Sequence, residues 1–90
     1  MKLYSVCDTK VGVFDKPFTM RNRNEALRGW MEVVNDKQTQ FNKHPEDFCL
    51  FELGDYDQDK GIISPYPGPQ SVASAIDVIK LDPKPLSVAQ

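Results

Sequence analysis

Apolar side chains recur at Leu27, Trp30, Met31 and Val34, the i, i+3, i+4, i+7 spacing that gathers one stripe along an α-helix. Ala26 and Val33 widen the stripe, while Arg23, Glu25, Arg28 and Glu32 take the rest of the cylinder. The pattern predicts a helix over Asn22–Asn35. Asn22 and Glu25 form a capping-box pattern, with a side-chain oxygen at the N-cap and a carboxylate able to reach back from the first turn. Asn35 and Asp36 suit the C-terminal stop. One helix cannot bury its own apolar face, so that face needs a sheet.

The flanking segments supply strands. Leu3–Cys7 is rich in β-formers and apolar on both sides, which suits a central strand. Asp8-Thr9-Lys10 begins a turn that Gly12 relaxes. Val13–Phe14 and Phe18–Met20 flank Asp15-Lys16-Pro17, and Pro17 makes this strand short, broken or an edge. Asp36–Glu46 reads as a long polar loop pinned by Phe41. Asp47–Tyr56 is the strongest strand, with Phe48, Leu50 and Glu52 on one face and Cys49, Phe51 and Leu53 on the other; either set could meet the helix. Asp57–Gly61 is a turn, and Ile62–Ile63 starts the return of a hairpin. Ser64–Pro69 reads as a rigid, proline-rich connection. Ser71–Ile79 fits two templates: a helix capped by Ser71 with a Val72, Ala75, Ile76, Ile79 stripe, or a strand at Ile76–Ile79.

These elements predict an α+β fold: a three- or four-stranded, mainly antiparallel sheet with the 22–35 helix across one face. A small open β-barrel is the alternative. Residues 1–81 form one domain, and 82–90, with Pro83 and Pro85, a flexible C-terminal tail.

Length and charge narrow the function. Ninety residues bury only somewhat more than ~60% of the unfolded surface, so dimerisation would help. No apolar run approaches the ~20 residues of a membrane span, and Asp8 and Lys10 break the N-terminus before a signal-peptide core can form. The expected location is the cytoplasm in which the chain is made. The net charge is −2, which argues against a strongly basic nucleic-acid binder. Yet residues 1–43 hold eight Lys/Arg against five Asp/Glu, and residues 44–90 three against eight. The chain is dipolar.

Most chemistries fail on their residues. A disulfide between Cys7 and Cys49 would need cross-strand adjacency and an oxidising compartment, so both are expected reduced and half-buried. A single histidine, His44, and no close cysteine pair speak against a metal site. Asp55, Asp57 and Asp59 alternate as in a calcium loop, but Lys60 stands at the sixth position and Tyr66 at the twelfth. Neither a glycine-rich phosphate loop nor a nucleophile elbow is present. No enzyme, no metal and no cofactor are therefore expected. What is left is a basic patch: Lys10, Lys16, Arg21, Arg23 and Arg28, interleaved with Phe14 and Phe18. Cations that track phosphates beside rings that stack bases are what single-stranded nucleic acid requires. The competing reading pairs Arg23 and Arg28 with Glu25 and Glu32 along the helix and puts both phenylalanines in the core.

Three runs, MKLYSVCDTK, MRNRNEALRGW and KHPEDFCLFELGDYD, resemble in order and spacing the small nonstructural protein of gokushoviruses, single-stranded DNA phages of the microvirus group that include the phages of Chlamydia. The resemblance covers residues 1–63 and is most specific at His44–Gly54. It implies a non-enzymatic, DNA-binding or replication-associated protein in the host bacterial cytoplasm, and no catalytic residues. Two functions follow as expectations. One is binding of single-stranded DNA or the replication complex through the seven residues above. The other is a protein–protein adaptor or host-factor modulator, monomeric or homodimeric, that engages viral or host replication proteins through the acidic half and the Tyr66-containing loop without touching nucleic acid.

Overall fold

The computed structural model describes residues 1–80; the tail expected over 82–90 lies outside the described residues. Strand β1 (Lys2–Asp8) lies inside the sheet, as apolar residues on both of its faces require. Along one edge it pairs with two short strands in succession, β2 (Val13–Phe14) and β3 (Phe18–Met20), and along the other with β4 (Phe48–Asp57). Strand β5 (Ile62–Ser74) closes the order β2-β1-β4-β5, and every pairing is antiparallel. The sheet curls into a half-barrel with the helices packed on it, so the expected α+β class holds and an open barrel is a compatible description.

Helix α1 (Arg23–Asn35) starts at Asn22, whose Oδ1 accepts from Glu25 N at 2.9 Å. The capping box is only half made. Glu25 reaches past Asn22 and accepts from Arg21 N at 3.2 Å. Ala26, Trp30 and Val34 are buried against Tyr4, Phe48 and Leu50, with Val6, Phe18, Met20 and Phe41 packed alongside. The set Phe48, Leu50, Glu52 therefore faces the helix, and Cys49, Phe51, Leu53 faces away.

Three expectations change. The 36–46 loop is structured: Thr39 caps a short helix α2 (Gln40–Lys43) by accepting from Asn42 N, and Pro45 opens a 3-10 turn, Pro45–Asp47. Phe41 does anchor it, edge-on to Trp30 at 5.1 Å and to Phe48 at 4.9 Å. Ser64–Pro69 is not a loop but part of β5. There the register slips, so that Tyr66–Pro69 stand opposite Leu53 alone. An edge strand tolerates Pro65, Pro67 and Pro69, because an outward-facing residue owes the ladder no N–H. Finally, Ser71–Ser74 ends β5, and the cap of helix α3 (Ala75–Val78) is Ser74 rather than Ser71, in a complete capping box with Asp77. Asn35 ties α1 to this corner: its Nδ2 donates to Val78 O and its Oδ1 accepts from Lys80 N.

Candidate nucleic-acid interface

Lys10 lies in the β1–β2 turn. Asp8 Oδ1 accepts from Lys10 N at 3.1 Å and Val11 N at 3.4 Å, Gly12 N donates back to Asp8 O, and Gly12 takes φ +76°. The side chain of Lys10 is thereby left exposed. Lys16 sits in the break between β2 and β3. That break folds over the far face of the sheet: buried Ser5 donates from Oγ to Asp15 O at 2.7 Å, and Asp15 N donates to Val6 O at 2.9 Å. Pro17 thus occupies a place where no ladder donor is needed. Between the two lysines, Phe14 is 42% exposed and edge-on to Phe51 at 5.4 Å. Lys10, Phe14 and Lys16 therefore share one short hairpin.

The other four residues lie elsewhere. Phe18 is half-buried, stacked on Tyr4 at 6.0 Å as part of the core packing. Arg21 donates from Nε and Nη2 to Glu25 Oε2 at 2.9 and 2.8 Å, which holds the Glu25 carboxyl below its ordinary range. Arg23 donates from Nε to Glu52 Oε1 at 3.2 Å. Arg28 is exposed on α1 beside a hollow that it shares with Leu27, Met31 and Lys80. Lys10, Lys16 and Arg28 make no ion pair among the described residues. The helical partners considered for Arg23 and Arg28 are not the ones taken: Glu25 pairs with Arg21, and Arg23 reaches across to the sheet.

Glu52 is the residue that sequence reasoning passed over. It is 5% exposed and accepts from both Arg23 and the Tyr66 hydroxyl, the latter at 2.6 Å. Burial alone would raise its pKa, but Tyr66, Arg23 and the nearby Tyr4 outweigh burial and hold the carboxyl below the usual range. Tyr4 is fully buried, and its hydroxyl lies near Glu52 without a hydrogen bond of ordinary geometry; burial first, then Glu52, pushes its pKa up to about 12. Lys2 extends the group, donating to Asp55 at 2.6 Å and to Tyr66 at 3.4 Å. The signal was legible: an acid on the same strand face as Phe48 and Leu50 must bring a cation with it.

Two further arrangements bear on ligands. Ligand atoms of His44, Glu46 and Asp47 lie within 4.8 Å of one another, but His44 and Glu46 are exposed and nothing else there points to a metal. An apolar groove of about 340 Å³ runs between β3 and α1, lined by Val6, Phe18, Met20, Trp30, Val33 and Phe41. Val11 and Val13, 67% and 59% exposed, line a separate hollow that shares Val6 and Phe41 with this groove.

Fold and site together define a small α+β protein in which one helix plugs a curled antiparallel sheet and an exposed hairpin projects from the sheet edge. The chain matches the family model described as Phage ORF5 protein over residues 1–78, and it belongs to that family of phage proteins. No curated protein and no solved structure matches it. Among the described residues, no helix is long and apolar enough to cross a membrane.

Proposed function

We propose that this phage protein is non-enzymatic and contacts single-stranded DNA during viral genome synthesis or packaging in the host cytoplasm, using the β1–β2 hairpin. One observation carries the reading: an exposed ring, Phe14, is flanked along the chain by two exposed lysines, Lys10 and Lys16, that form no ion pair among the described residues, while Asp8 and Asp15 of the same hairpin accept from backbone N–H groups instead. The resemblance to gokushovirus nonstructural proteins supports it. Arg21 and Arg23, engaged with Glu25 and Glu52, are secondary to this contact, and Phe18 belongs to the core. Stacking then matters more than charge. Loss of one base stack is worth about 1–3 kcal/mol, so Phe14→Ala is expected to weaken binding by about 5- to 150-fold. Fluorescence anisotropy with a labelled oligonucleotide at low salt tests it. Absence of binding, or binding indifferent to Phe14→Ala and to Lys10→Glu with Lys16→Glu, rejects it.

A second reading has its own observation. The groove between β3 and α1 is apolar and lies beside a sheet edge, and the neighbouring hollow carries exposed Val11 and Val13, as a protein–protein adaptor would present. Replication proteins or a second copy of the chain would then be the partners. A concentration-dependent dimer in light scattering, with no oligonucleotide binding, would favour this reading.

A further inference from the structure

Cys7 and Cys49 stand directly opposite each other in the β1–β4 ladder, both unbonded and 6% and 8% exposed. Tyr4 and Val6 on β1, like Phe48 and Leu50 on β4, face the helix core. By alternation, both thiols point to the opposite face of the sheet. There Cys49 Sγ lies 3.4 Å from Ser71 Oγ. Opposed residues of an antiparallel pair have Cα atoms about 4.5 or 5.5 Å apart, according to ladder position. Both values fall within the roughly 4.4–6.8 Å of disulfide-bonded cysteines. Their Cβ atoms are about 4.5–5.5 Å apart, against a disulfide mean of about 3.8 Å, so closing the bond draws β1 and β4 together locally.

We propose that Cys7 and Cys49 are a paired dithiol that closes to a cross-strand disulfide within the folded protein on exposure to hydrogen peroxide. One sulfur attacks the peroxide, the O–O bond breaks, and a sulfenic acid and one water result. The second sulfur attacks the first, forming S–S and breaking S–O, and the second water leaves. Two electrons and both thiol protons pass to the oxidant. Burial, with smaller contributions from Asp8 and Cys49, pushes the Cys7 thiol up, so the reaction is slow near neutrality and quickens with pH. A bond that strains its strands is readily reduced, which makes the closure reversible. Phe14 lies opposite Cys7 on the other side of β1, so closure acts directly beneath the exposed ring. The chemistry does not depend on what that ring binds.

The full chain is incubated folded with hydrogen peroxide, alkylated in denaturant with N-ethylmaleimide and weighed. The expected product is a monomer lighter by two hydrogens, carrying no alkyl group and keeping native Trp30 emission. Glutathione should restore two alkylatable thiols, and Cys7→Ser or Cys49→Ser alone should give no such product. Disulfide-linked dimers, sulfinic acid at a single cysteine, or an internal bond that forms only in urea would each overturn the proposal.

Discussion

A methyl group on Gly54 would collide with the Ser64 carbonyl oxygen and lie 2.7 Å from Pro65 Cα, both of them backbone. Backbone cannot swing aside as a side-chain tip can. Gly54→Ala should therefore cost about 1–3 kcal/mol, the usual penalty of overpacking, read as a lower urea midpoint. Gly68→Ala, with open space around it, is the control and should be near neutral. Glu52 sets a pH dependence. Its carboxyl is depressed in the folded state, so near and below the ordinary value of about 4.3 the unfolded chain binds more protons than the folded one. Its contribution is present above that value and is lost as pH falls through the folded pKa. Urea midpoints at pH 7 and pH 3 should differ less in Glu52→Gln than in the parent. Equal slopes would count against the buried network.

Two of the turns are the same device. Asp8–Gly12 and Asp57–Gly61 each begin with an Asp whose Oδ1 accepts from the next turn's N–H groups. Each ends on a Gly at positive φ, +76° and +66°, whose N–H returns to the Asp carbonyl. The left-handed conformation costs a residue with a Cβ about 1–2 kcal/mol. Gly12→Ala and Gly61→Ala should each lower stability by that much, measured by urea unfolding, and Gly12→Ala should also disturb the hairpin that carries Lys10 and Phe14. The turns and α1 were legible because their signals are local: a side-chain oxygen, a glycine, a 3.6-residue period. Strand β5 was not. Its proline-rich stretch is carried between two segments, 62–65 and 70–74, that pair with β4, a partner that local propensity cannot see.

At the scale of the molecule, the dipolar charge of the sequence does not become a five-cation surface. Arg21 and Arg23 are engaged by carboxylates, leaving Lys10 and Lys16 on the hairpin and Arg28 on the helix. Two phosphate contacts on single-stranded DNA give a log–log salt slope of about −1.4, where five would give about −3.5. Anisotropy titrations across salt should return the shallower value. Arg23→Glu should lower stability, by stranding Glu52, more than it alters DNA affinity. That Lys10, Phe14 and Lys16 share one hairpin was legible because they are sequence neighbours. The fate of Arg23 was not, because its partner lies 29 residues away.

The amino-acid order by itself determined the helix, its N-cap, the glycine turns and the alternation of the long strand, since each is settled by forces acting over a few residues. Tertiary structure alone decided which strand face met the helix, that Arg23 met Glu52, and that Cys7 met Cys49. Those outcomes depend on ladder register, and register is set by many distant contacts at once.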